Sequence, residues 1–163
     1  MKLERWGKGI AMGMKETAKH LFRKPITTQY PEERLTVSRR IRGNQLVWDK
    51  ETCIACGACQ RACPVSCFTL TTSRGEDKKL RVDTFELDIG LCIFCGLCVE
   101  SCPQKCLFMS TDYEKFGYNR ETFKLTGDDL APSEKCKPSG YFSPENEAIM
   151  PKQTLLIDRK HLR

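Results

Sequence analysis

Eight of the 11 cysteines fall in two runs of one spacing. They are Cys53-x2-Cys56-x2-Cys59-x3-Cys63-Pro64 and Cys92-x2-Cys95-x2-Cys98-x3-Cys102-Pro103. Thiolates in this pattern hold [4Fe–4S] clusters, whose chemistry is one-electron transfer. A cubane needs four thiolates. A loop with a cysteine at every third position presents three, and the fourth must arrive from farther away. In two-cluster proteins of this spacing the fourth cysteine of each run serves the other cluster. The expected ligand sets are therefore Cys53, Cys56, Cys59 and Cys102 for one cluster, and Cys92, Cys95, Cys98 and Cys63 for the other.

Three rival chemistries fit the cysteines less well. Zinc sites show isolated C-x2-C pairs, with four ligands closing one tetrahedron. A disulfide scaffold calls for an oxidising compartment, and the first residues lack the apolar h-region and cleavage site of a secretory signal. A thioredoxin-like C-x-x-C comes as a pair, not in fours.

The two runs are copies. Cys92 follows Cys53 by 39 positions, and the same step relates Asp49 to Asp88, Gly57 to Gly96, Pro64 to Pro103 and Cys67 to Cys106. A fixed period signals repeated structural units. Two units that exchange their fourth ligands predict a core with pseudo-two-fold symmetry. Neither unit completes a cluster alone, so metal binding and folding are expected to be one event.

Cys67 and Cys106 follow each Cys-Pro by three residues. With the ligand sets already complete, they read as core packing, since free cysteine is among the most buried residue types. Cys136 stands alone in a polar segment and reads as incidental. Phe68, Phe94 and Phe108 read as packing around the clusters. His20 and His161 lie outside the cysteine runs and are assigned no ligand role. No nucleophile–base pair or phosphate loop appears, so the chain is expected to conduct electrons and make no bonds itself.

The elements that position these residues follow from pattern. Hydrophobic content is 40%, which suits a small fold held by inorganic clusters. The formal charge of +6 falls to about +2 once two clusters of charge −2 are counted. With no recognition motif beside the charge, nucleic acid is not an expected partner. No apolar run reaches the roughly 18 residues of a membrane span. Residues 3–22 predict an amphipathic helix. Leu3, Trp6, Ile10, Met14, Thr17 and Leu21 share one face, and Glu4, Lys8, Lys15 and Lys19 another. Gly7, Gly9 and Gly13 weaken it, each by roughly 1 kcal/mol relative to alanine. Such a helix needs a surface to lie on, a membrane or a partner. Residues 24–45 read as a basic connector.

Residues 46–48, 67–71, 80–87 and 106–109 predict strands, with a hairpin or loop over 72–79. Short helices are expected between each Cys-Pro and the strand after it, or just before that proline. Residues 112–163 hold scattered prolines, glycines and charges with no sustained period, so they predict an extended or disordered tail. Tyr113, Phe116, Tyr118, Phe123, Tyr141 and Phe142 suggest that it lies along a partner. The expected organisation is thus 1–23 docking helix, 24–45 connector, 46–111 two-cluster domain and 112–163 tail. The fold class is α+β, a ferredoxin-like two-[4Fe–4S] core.

With these residues read, the chain resembles a known family. Gln29-Tyr30-Pro31-Glu32-Glu33, then Arg40-Ile41-Arg42-Gly43, then the doubled cluster motif are similar to subunit I of NADH–quinone oxidoreductase, respiratory complex I. Cys92-Ile-Phe-Cys-Gly and Cys102-Pro-Gln-Lys-Cys-Leu also resemble the chloroplast counterpart. The likeness runs from about His20 to Tyr113. It implies a ferredoxin-like subunit of the peripheral arm on the cytoplasmic face of the membrane. It implies two clusters, on the eight cysteines named above, passing single electrons toward a quinone-site partner. Cys67 and Cys106 stand where many members have alanine, and Phe68 where many have isoleucine. These departures leave the ligands intact and bear on packing and potential. Two other relays share the motif: the equivalent subunit of a related membrane-bound hydrogenase or dehydrogenase, and a soluble two-cluster ferredoxin. A redox-inert scaffold is a further reading. The electron donor, the quinone and any pumped ion are not written in the chain.

Overall fold

The computed structural model describes residues 6–23, 27–75, 77–134 and 136–154. The described residues divide into two units, one within residues 6–35 with Thr154 and the other within residues 36–153. The first unit holds helix α1, Trp6–Lys19, continued by a 3-10 turn over His20–Phe22. Residues 7–23 are all exposed. Ile10, Met14 and Leu21 of the expected apolar face are among them, and so is Phe22. Leu3 and Glu4, part of the expected helix, lie outside the described residues.

The second unit carries the cysteines. Strand β1, Leu46–Trp48, pairs antiparallel with β4, Leu107–Met109, in the register Trp48 to Leu107. Strand β2, Phe68–Arg74, and β3, Leu80–Asp88, form a long hairpin, and β5, Lys124–Thr126, adds to the far side of β3. The two stretches of alternation read over 80–87 are one strand, and the hairpin turn is shorter than expected because β2 runs on to Arg74. Only the inner end of this hairpin faces the core. Phe68, Phe85 and Leu87 are buried, while Thr71, Ser73, Arg81 and Asp83 are exposed. Trp48 stacks on Phe85 with ring centroids 4.4 Å apart, and Phe68 meets the same ring tilted at 5.7 Å.

Two short helices hold the cysteine loops. Helix α2, Ala58–Ala62, follows Gly57, and α3, Leu97–Glu100, follows Gly96. Both glycines are left-handed, at φ 65° and 85°, a conformation only glycine takes without strain. Helix α2 stops at Cys63, which is extended. Proline at 64 pushes the residue before it out of the helical region.

The segment after residue 111 departs from its expected extended or disordered state. Up to residue 153 it belongs to the second unit. Leu125, Leu130 and Cys136 are buried in it, and Trp48 N–H donates to Leu130 O at 2.7 Å. Strand β5 and helix α4, Pro144–Ile149, lie here. The anchoring residues are isolated apolar positions without period, and their partners lie far off in sequence, so no local pattern announces them. Phe116 and Tyr118 remain exposed.

Candidate metal centres

Each cysteine loop is entered through an aspartate. Asp49 Oδ1 accepts Glu51 N–H at 3.0 Å, and Asp88 Oδ1 accepts Gly90 N–H at 2.9 Å. These Asx turns reverse the chain two residues on. Within the loops the left-handed positions recur at the sequence step: Ala55 and Phe94, Gly57 and Gly96, Ser66 and Lys105. A chain that curls this way turns successive cysteines toward one point.

One cavity is lined by Cys53, Cys56 and Cys59 of the first run and by Cys102 of the second. Its remaining walls include Ala55, Ala58, Leu70, Phe85 and Leu107, which are small or apolar. Trp48 also lines it, and the indole Nε1 is buried with no hydrogen-bond partner in the chain. The site fits a [4Fe–4S] cluster. It offers five thiols from two segments, the four expected ligands and Cys106, within small or apolar walls that exclude water. Among the described residues no three His, Cys, Asp or Glu side chains are grouped for a single metal ion. A cubane takes one thiolate on each of four irons, so its ligands stand wider apart.

On the other side, Cys98 lies in the electrostatic reach of Cys92, Cys95 and Cys59. Cys67 Sγ stands 3.3 Å from Cys63 Sγ. Burial pushes the Cys59 thiol up to about 11 and the Cys98 thiol up to about 12. Cys92 is drawn down to about 6, chiefly by the neighbouring Cys67 thiol, with help from Phe94 N–H. Phe94 N–H donates to Cys92 Sγ at 3.4 Å, and Cys67 N–H to Cys63 Sγ at 3.5 Å.

The second loop carries a clasp absent from the sequence reading. Arg42 donates to Cys95 O at 3.1 Å and lies over the Tyr141 ring, 5.5 Å from its centroid. The Tyr141 hydroxyl donates to Glu100 at 2.5 Å. Arg42 had read as solvated connector and Tyr141 as a partner-facing aromatic. The one sequence signal was Gly96, where a Cβ would stand 2.5 Å from the Tyr141 ring. Cys136, read as incidental, is buried with Sγ 3.5 Å from Ser110 Oγ. Phe68 is buried in the core and Phe94 packs against it, while Phe108 is half-buried. His20 sits on the exposed 3-10 turn, and His161 lies outside the described residues.

A mixed helix–sheet fold around two four-cysteine groups defines a ferredoxin-like dicluster iron–sulfur protein. Residues 52–106 match the family model described as a 4Fe-4S dicluster domain. The chain is 43% identical over 114 residues to NADH-quinone oxidoreductase subunit I 1 of Geobacter sulfurreducens, covering 68% of this chain and 86% of that protein. It is 40% identical over 114 residues to subunit I 2 of Geobacter metallireducens, covering 68% and 87%. Subunit I of Francisella philomiragia is 42% identical over 84 residues, covering 49% and 52%. Among solved structures, a chain of the membrane-bound sulfane sulfur reductase, an archaeal respiratory membrane complex, aligns with a TM-score of 0.49 and 27% identity, over 75% of this chain and 59% of that one. The chain belongs to the NADH-quinone oxidoreductase subunit I family. It holds two [4Fe–4S] clusters and relays electrons.

Proposed function

We propose that the chain is the electron-relay subunit of a membrane-bound NADH–quinone oxidoreductase, passing single electrons toward quinone. The cavity that joins Cys102 to Cys53, Cys56 and Cys59 carries this reading, together with family membership. The ligand sets are Cys53, Cys56, Cys59 and Cys102, and Cys92, Cys95, Cys98 and Cys63. The two halves form a pseudo-two-fold pair, a reading supported by left-handed residues that recur at the sequence step. When bound, each cluster supplies a one-electron couple. The chain's own residues hold it, keep water out and place N–H and S–H donors at its thiolates.

Residues 46–111 form the cluster domain in this reading, with 24–45 as the connector. Residues 1–23 dock on the membrane, on the cytoplasmic face, beside a quinone-site subunit. Exposed Ile10 and Met14 on α1 and Leu21 on the turn after it support the docking role, since apolar side chains beside lysines suit a lipid interface. Among the described residues no helix is long and apolar enough to cross a membrane.

The test is affinity purification of the tagged chain from gently solubilised native membranes. Co-purification of membrane and quinone-site subunits with a flavin-bearing NADH-oxidising module is expected. The same partners with another input module would keep the relay and change the donor. Recovery as a lone soluble iron–sulfur protein would overturn the proposal.

A further inference from the structure

Cys67 and Cys106 are the sulfurs left over. Both are buried, and both belong to the repeat rather than to either ligand set. Cys67 Sγ stands 3.3 Å from Cys63 Sγ. Cys106 Sγ stands 3.4 Å from Cys102 Sγ. In the ligand sets proposed above, Cys63 serves one cluster and Cys102 the other. Each spare sulfur thus touches a ligand of a different cluster.

That placement is more specific than packing demands. A methyl group would fill the same apolar corner, but it could not bond to sulfur. An iron-bound cysteine is a thiolate, an acceptor with no proton to give. A cysteine outside the ligand sets carries the S–H of an ordinary thiol, a weak donor, and is the donor of such a pair. We propose that Cys67 and Cys106 are non-ligand thiol donors whose S–H···S bonds to Cys63 and to Cys102, respectively, each raise the potential of one cluster. Hydrogen bonds to the sulfurs and local charge set such potentials. A donor stabilises the reduced, more negative state more than the oxidised one, so its loss lowers the potential. The inference rests on the ligand assignment under Proposed function and adds what tunes each site.

The test uses the iron-loaded protein in the membrane complex from which it is isolated. Both clusters are titrated electrochemically by their electron paramagnetic resonance signals, with iron counted in parallel. Cys67→Ala is expected to lower only the cluster on Cys92, Cys95, Cys98 and Cys63. Cys106→Ala is expected to lower only the other. The expected size is roughly a threefold change in the reduction equilibrium, about 30 mV for one electron. Cys67→Ser and Cys106→Ser keep an O–H donor and are expected to recover most of each shift. Unchanged potentials at full iron content would overturn the proposal, as would both clusters shifting together. Loss of iron in an alanine variant that serine does not restore would also overturn it, since that marks a ligand. Where an alanine variant does not fold, the unaltered protein decides by infrared spectroscopy. S–H stretches lowered from the free-thiol frequency support donation, and free-thiol stretches end it. Absence of two [4Fe–4S] signals in the unaltered complex would instead sink the ligand assignment itself.

Discussion

The two cysteine loops share spacing, entry aspartate and left-handed turns, yet they are held differently. The first is held from within its own turn and by the other repeat, where Cys106 O accepts Asp49 N–H at 2.8 Å. Asp49 Oδ2 accepts from Thr52 within the same turn at 2.7 Å. At Gly57 the nearest neighbour of a Cβ would be the tip of Arg61 from helix α2, at 3.3 Å. The second is gripped from outside. Asp88 Oδ2 accepts from Arg120 at 3.4 Å, and Ile89 N–H donates to Phe123 O at 2.8 Å. Arg42 holds Cys95 O, and Tyr141 covers Gly96. One ligand pattern has thus been given two mechanical settings. The repeat supplies the coordination, and the segments outside it make the sites unequal. The second cluster gains a guanidinium and backbone N–H···S bonds at Cys92 and Cys63, all of which favour the reduced state. It is expected to titrate at the higher potential of the two.

The largest effect expected breaks the equivalence of the loops at the ligands. Cys102→Ala removes a residue of the second run but is expected to abolish the cluster on Cys53, Cys56 and Cys59. Cys63→Ala is expected to abolish the other. Iron content would fall by about half in each, roughly four of eight irons, and the surviving resonance signal would identify which cluster is lost. If each substitution removes the cluster of its own run, the exchange of fourth ligands is wrong.

Next in size is the contrast between the paired glycines. Any Cβ at a left-handed position costs about 1–2 kcal/mol. Gly57→Ala is expected to cost little more. Gly96→Ala also drives a Cβ into the Tyr141 ring, and overpacking adds about 1–3 kcal/mol. Denaturant unfolding followed by cluster absorbance should rank Gly96→Ala clearly below Gly57→Ala. Equal losses would mean that Tyr141 yields freely and the clasp is slack.

Arg42→Leu removes the charge beside Cys95 and the contact with Tyr141. The cluster on Cys92, Cys95 and Cys98 is expected to drop by roughly twofold to threefold in its reduction equilibrium, about 20–30 mV for one electron. The other cluster should stay put. A redox titration with both signals resolved checks this.

Tyr141→Phe gives the smallest effect. It deletes a hydroxyl bond to an exposed Glu100, worth about 0.5 kcal/mol. The hydrogen bond to Glu100 raises the Tyr141 phenol above its ordinary value. A raised folded value means that the bond stabilises fully below the unfolded phenol's range, near pH 10. That contribution fades as pH rises through the folded value. Melting temperatures of the two proteins should differ at neutral pH and converge in alkali.

How far the chain could be read beforehand follows from these same residues. The short helices could be read only as lying on one side or the other of each Cys-Pro, while the strands at Leu46–Trp48 and Leu107–Met109 were legible, because their signals are local. So was the inventory of cysteines. Arg42 and Tyr141 carried no such signal. Each bonds to a residue tens of positions away, and nothing in their own neighbourhoods separates a clasp from a solvated arginine or a surface aromatic. Leu125, Leu130 and Cys136 were hidden for the same reason. Single apolar residues among prolines and charges have no period to detect. Antiparallel pairing with β3, the bond from Trp48 to Leu130 and the contact of Cys136 with Ser110 make them core.

By itself, the sequence determined the chemistry. Cysteine spacing decides how many thiolates a loop can aim at one cubane, and that spacing is a covalent property of the chain. The step of 39 residues between the runs is covalent in the same sense and demanded two sites. Tertiary structure alone decided what surrounds each site. Whether Cys67 and Cys106 merely pack or touch ligand sulfurs depends on distances between segments. So does the choice of loop that receives a guanidinium. Those distances are set by the burial of side chains drawn from the whole of residues 36–153, and no local stretch contains them.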